Sequence, residues 1–152
     1  QDIIDLFRSK RYASRAALDI GAGQGHTTAA LAVNFAVVVA IEKYWDLGND
    51  GNDYHLLSGR LLTSDGAPLN NVVRMHMDTA LPYAFAPLAD QNFSAAVIDA
   101  QHSFESVVRE TFHVLRSIPC CVETIIYHDF CFEEVFQAIF FFEQAGLLVF
   151  QK

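Results

Sequence analysis

Basic residues are scarce in this 152-residue chain: ten lysines and arginines stand against eighteen aspartates and glutamates, for a net charge of −8. Binding a phosphate backbone takes clustered Lys and Arg, so no nucleic-acid partner is expected. Four of the ten basic residues do sit together, Arg8, Lys10, Arg11 and Arg15. They read either as a solvated helix end and loop or as a patch for an anionic substrate. Cysteine is also sparse. Cys120, Cys121 and Cys131 are odd in number and two are adjacent, which implies no disulfide framework. A reducing, cytoplasmic setting is the expectation. Long apolar runs are missing too. The longest, Ala29–Ile41, is interrupted by Asn34 and falls short of the ~20 residues that span a bilayer. No membrane association is expected, and no secretory leader is visible. The chain starts with Gln1 in place of Met, so a fragment that has lost a leader is one reading.

What is present is a globular pattern, with 52% apolar residues. The length suits a single domain over residues 1–152. Strand-like and helix-like segments alternate. The sequence predicts strands at 15–20, 36–42, 71–77, 94–100, 121–129 and 147–151. It predicts helices at 26–35 and 103–118, a weak helix at 53–62, and one at 132–146 closed by Gly146. In the 103–118 helix, Phe104, Val107, Val108, Thr111, Leu115 and Ile118 share one face. Pro68, Pro82, Pro87 and Pro119 fall between these segments. Such alternation predicts an α/β fold, an open doubly wound and mainly parallel sheet with helices on both faces. Ligands bind such sheets beyond the carboxyl ends of the strands. Those ends are Asp19, Glu42, Asp78, Asp99 and His128–Asp129, and every one carries an acid.

The first strand runs into "ALDIGAGQGHTTAAL", residues 17–31. Gly21, Gly23 and Gly25 allow a sharp turn and a close ligand approach. The same glycines also suit a tight strand-to-helix turn with no ligand. A dinucleotide site wants G-x-G-x-x-G. Here His26 takes the third glycine's place, which disfavours a nicotinamide dehydrogenase. "LDIGAGQG" resembles the first motif of the class I S-adenosylmethionine-dependent methyltransferases, whose fold is Rossmann-like. The resemblance implies that Gly21, Ala22, Gly23 and Gly25 pass under the cofactor's amino-acid tail and ribose. Asp19 would lie near the methionine moiety. Glu42 would accept the ribose hydroxyls. Asp78, or its neighbours Met77 and Thr79, would meet the adenine, and Asp99 completes the cofactor set.

"VIDAQHSFESV" and "IIYHDF" place Asp99, His102, His128 and Asp129 at the ends of two strands expected to be neighbours. The pairing resembles one methyltransferase subgroup, the sugar and antibiotic O-methyltransferases (methyltransferase family 24-like) and relatives of the cephalosporin hydroxylase component. It covers about Leu18 to Phe150. The resemblance implies a metal site at Asp99, His128 and Asp129. Magnesium prefers oxygen ligands, so His128 leaves Mg²⁺, another divalent metal and no metal all open. Methyl transfer needs alignment and, for an oxygen nucleophile, loss of a proton. His102 is the first candidate base and His128 the second.

Other patterns carry less. Asp46–Leu57 lacks the last ligand of a calcium loop. Cys121, His128 and Cys131 match no zinc spacing. Ile139–Phe142 covers more than one helix face and reads as core, as a homodimer contact, or as a surface hidden by a further segment. The family adds a seventh strand after the sixth, and this chain stops short of it. The expectation is a methyltransferase using S-adenosylmethionine to O-methylate a small hydroxylated molecule, with His or metal assistance. The alternative is a noncatalytic module of the same fold acting as an oligomer partner. A lyase or hydroxylase-associated role is also open, because fold does not fix function.

Overall fold

A computed structural model describes residues 2–8, 10–43, 69–89, 91–117 and 122–149. Five strands form one sheet: β1 (Ala16–Ile20), β2 (Val37–Glu42), β3 (Val72–His76), β4 (Phe93–Ile98) and β5 (Thr124–Tyr127). Their order is β3-β2-β1-β4-β5, and every pairing is parallel. The chain winds outward from β1 to β3, then returns to lay β4 on the other side of β1. The strand order therefore switches between β1 and β4, the place where such sheets bind ligands.

Among the described residues, four α-helices cover the sheet: α1 (Asp2–Leu6), α2 (His26–Ala32), α3 (Phe104–Ser117) and α4 (Glu133–Gln144). On one face, Phe7, Leu31 and Phe35 pack with Tyr12 over Ala17, Val38, Ala95 and Val97. The inner strands carry alanines at Ala17 and Ala95, which face each other in register. Their small side chains leave room for the rings of Phe7, Tyr12 and Phe35, whose centroids lie 5.0–5.2 Å apart. On the other face, Leu18, Ile20, Val39 and Ile41 meet Phe85, Leu88 and Val114. The α4 helix packs on α3 through Val107, Val135, Ala138 and Ile139. Burial follows position: all of β4 is buried, whereas the edge strands β3 and β5 are only partly covered.

The predicted architecture is therefore present; each expected element among the described residues, the last strand aside, lies within its expected range, except that β4 starts one residue earlier, at Phe93. Gly146 is the C-cap feature expected, at φ +69°. Its amide donates to Glu143 O and that of Leu147 to Phe142 O, closing the helix as a Schellman turn. Several details differ. Leu147–Val149 form no strand, because the Leu147 amide is turned back onto α4 and no described strand lies alongside. Phe150 and Gln151, the weak helix at 53–62, the Asp46–Leu57 loop, Ile118, Cys120 and Cys121 lie outside the described residues. The α1 helix and two 3-10 turns, Lys10–Tyr12 and Ala86–Leu88, were not expected. The buried face of α3 is rotated from the one expected: it holds Ser106, Val107, Glu110, Thr111 and Val114. In Ile139–Phe142, Ile139 and Phe142 are core, whereas Phe140 and Phe141 are half exposed. Among the described residues, no helix is long and apolar enough to cross a membrane.

Candidate functional site

The loop after β1 is fixed by backbone. The amides of Gly21 and Ala22 both donate to Ile41 O, at 2.9 and 3.0 Å. Gly21, Gly23 and Gly25 all have positive φ, a conformation that side chains resist. The Gly23 amide donates to Glu42 Oε2 at 2.9 Å, and the Lys43 amide to Oε1 at 2.8 Å. Asp19 lies within β1, one residue before its end, and is fully buried. Thr28 of α2 donates to its Oδ2 at 2.5 Å. Its Oδ1 is buried without a hydrogen-bonding partner among the described residues. Burial, with smaller contributions from Asp99 and Glu42, pushes this carboxyl up to about 7.

A cavity of about 550 Å³ opens over this loop. Its walls include Gly21, Gly23, Glu42, Lys43, Asp78, Thr79, Asp99 and Arg109. Asp78 lies two residues beyond β3, bonded to Lys43 Nζ at 2.7 Å and to the Ala80 amide at 3.0 Å. Lys43 holds its carboxyl below the usual range. Among the sequence candidates, Gly21, Gly23, Glu42, Asp78 and Asp99 thus line one cavity. Asp19 lies behind it, and Gly25 is buried as the N-cap of α2.

The second constellation also comes together. His128 Nδ1 lies 3.2 Å from both Asp99 Oδ1 and Asp129 Oδ1. His102 Nε2 lies 3.5 Å from Asp99 and 3.5 Å from Asp129. Asp129 takes φ +51°, an uncommon value that Asp tolerates better than most residues. Asp99 is raised above the usual carboxylate range by burial, against the pull of His128 and His102. A second cavity of about 460 Å³ adjoins the first and shares Gln101 with it. His102, Ser103, Phe132, Glu133 and Glu134 line the rest, and the Phe132 ring lies 5.3 Å from that of His102.

The bare glycine loop and Glu42 line the larger cavity, and a carboxylate there suits a ligand bearing vicinal hydroxyls, each a donor. Asp99, His102 and Asp129 each offer one atom, all within 4.8 Å of one another. The sequence set His128 beside Asp99 and Asp129 as the third metal ligand, whereas the compact donor cluster contains His102 in its place. Two carboxylates with an imidazole make a donor set for a divalent metal. The basic patch lies elsewhere. Arg11 and Arg15 pair with Glu123, and Arg15 also reaches Ser94, at the amino ends of the strands. Arg8 pairs with Asp5. Lys43, Arg109 and Glu110 were not singled out from sequence. Glu110 carried a signal, an acid placed on the buried stripe of α3 between Val107 and Val114.

No protein-family model matches the chain, and no curated protein matches it. Solved structures do. The chain is 17% identical to precorrin-6y C5,15-methyltransferase from Geobacter metallireducens, with a TM-score of 0.62 over 95% of this chain and 69% of that one. Against a precorrin 8w decarboxylase from Methanobacterium thermoautotrophicum the identity is 20% and the TM-score 0.60, over 95% and 70%. A putative rRNA methylase from Clostridium thermocellum gives 14% and 0.59, over 99% and 82%. At these identities the likeness is one of fold: the chain has the Rossmann-like fold of class I methyltransferases.

Proposed function

We propose that this chain is an S-adenosylmethionine-dependent methyltransferase acting on the hydroxyl oxygen of a small molecule. The observation that carries the reading is the Gly23 amide bonded to Glu42 Oε2 at 2.9 Å beside the unpartnered oxygen of buried Asp19. Glu42 and the bare loop line one cavity, where the carboxylate can accept ribose hydroxyls, and buried Asp19 stands behind the loop. Asp78, Met77 and Thr79 stand where the adenine would lie. The cofactor, when bound, supplies a methyl group activated as a sulfonium.

The protein's own part is placement and proton removal. The smaller cavity holds the acceptor beside the larger one, and alignment of reacting atoms is worth several kcal/mol. His102 lines that smaller cavity and is the general base. The carboxylates of Asp99 and Asp129, at 3.5 Å, steady the imidazolium formed when it takes the acceptor's proton. His128 is closer to both carboxylates, at 3.2 Å. A divalent metal, Mg²⁺ or another, would be held by Asp99, Asp129 and His102, the imidazole then serving as ligand in place of base, and would lower the acceptor hydroxyl's pKa. A sugar or antibiotic-type acceptor fits the size of the smaller cavity.

A second reading, the noncatalytic oligomer partner, draws on exposed rings. Phe136 and Phe140 stack on the outer side of α4, with Phe130 and Phe132 exposed just before it. A homodimer would cover them.

Calorimetric titration with S-adenosylmethionine, with and without Mg²⁺ and with NAD as control, separates these readings. Micromolar binding is expected, weakened roughly 10- to 100-fold in Glu42→Ala. His102→Ala is expected to keep cofactor affinity and lose methylation in an acceptor screen. A folded protein that binds NAD, or that binds neither ligand and sediments as a dimer, contradicts the enzyme reading.

A further inference from the structure

Glu110 sits on the inner side of α3 at 1% exposure, one turn from Val107 and one from Val114, both buried. Thr79 Oγ1 donates to its Oε1 at 2.7 Å. Its Oε2 is buried and has no hydrogen-bonding partner among the described residues. A carboxyl in such surroundings costs free energy that an apolar side chain would not. Thr79 lies in the wall of the larger cavity, between Asp78 and Ala80, and Ser106 and Arg109 of α3 line the same cavity. The acid is thus one bond removed from the ligand space.

We propose that Glu110 is a positioning residue for the cofactor cavity: through Thr79 it fixes the turn after β3, and its protonation state sets how firmly that turn is held. The inference rests on the S-adenosylmethionine reading. Burial pushes the Glu110 carboxyl up to about 7, against the Thr79 hydrogen bond and the charge of Arg109. Both protonation states are therefore populated near neutrality. His113, a turn further along α3, is pushed down by burial and by Arg109, and stacks on Phe85. On the turn, Asp78 is paired with Lys43. Arg109 is the charge that favours ionised Glu110. The ionised carboxylate accepts the stronger, charge-assisted bond. The turn is then held more firmly, and cofactor affinity rises as pH rises through about 7.

The test is the dissociation constant of S-adenosylhomocysteine, measured by calorimetry between about pH 5.5 and 8.5 for wild type, Glu110→Gln and Thr79→Val. Asp19 titrates in all three proteins, so the difference between profiles is the readout. Wild type is expected to gain about fivefold in affinity with rising pH through this bond. Glu110→Gln should stay near the acid-limb value and lack that gain. Thr79→Val, which removes the same bond from the turn's side, should lack it too, and it carries the test if Glu110→Gln fails to fold. Folded variants that keep the wild-type profile overturn this proposal alone. A folded wild type that binds at no pH overturns the cofactor reading and this proposal with it.

Discussion

Gly21 and Gly23 stand two positions apart and answer to different constraints. A Cβ on Gly21 would lie 2.4 Å from the Asp99 carbonyl oxygen and 2.5 Å from Ala100 backbone, at φ +84°. That backbone follows directly on β4 and is held there by the Asp99 amide, which donates to Ile20 O at 2.8 Å. Among the described residues, a Cβ on Gly23 would meet only Gly21 O, at 3.9 Å, and would stand in the cavity wall. Gly21→Ala is therefore expected to cost about 3 kcal/mol or more of folding stability, from left-handed strain plus overlap. Gly23→Ala should cost about 1–2 kcal/mol of stability yet lose most cofactor affinity. Urea melts and calorimetry on the pair check this, and a normally stable Gly21→Ala would contradict the close approach to β4. The glycine spacing was legible in the sequence because it is local. The distances of His102 and His128 from the two carboxylates were not, because they depend on the left-handed turn at Asp129. Thr79 and Glu110 meet across 31 positions, a contact that no local pattern reports.

At the scale of elements, α3 begins with amides that no earlier turn can satisfy. Glu134 of α4 supplies one acceptor: the Phe104 amide donates to its Oε2 at 2.9 Å. One helix thus caps another beside the smaller cavity, which Ser103 and Glu134 both line. Glu134→Ala is expected to cost about 1 kcal/mol, as loss of an N-cap does, with Glu134→Gln retaining much of the stability. Equal urea midpoints for the two variants would deny the cap. This tie was invisible in sequence, since Glu134 reads as an ordinary first-turn acid of its own helix. The strands β1, β2 and β4 were legible because buried parallel strands are almost uniformly apolar. The α1 helix was not, because Asp2–Leu6 is too short for a periodicity to emerge. The strand expected at Leu147 failed for a related reason. An apolar run is a strand only where a neighbour completes the ladder, and the Gly146 turn spends the Leu147 amide on Phe142 O.

Across the whole molecule, two buried acids flank the carboxyl edge of the sheet, Asp19 on the α2 side and Glu110 on the α3 side. Both are pushed up to about 7, from 3.8 and 4.5. Between those limits the folded chain holds protons that the unfolded chain has released, so stability falls as pH rises through that window. Below it both states are protonated, and above it the full cost is present. This is opposite to the usual acid lability of proteins whose carboxylates are paired. Asp78, held low by Lys43, works in the ordinary sense, but it lies at the surface. Asp19→Asn should therefore raise stability at pH 8 by on the order of 2 kcal/mol, or roughly 5 °C in midpoint, and change it little at about pH 4. Thermal melts across this range read the slope. A variant with the wild-type slope would mean that the Asp19 carboxyl is not the source of the cost. The same substitution trades an acceptor for a donor or a neutral oxygen beside the glycine loop. It should weaken S-adenosylmethionine binding, so its advantage in melting temperature at pH 8 should shrink or reverse as saturating cofactor is added.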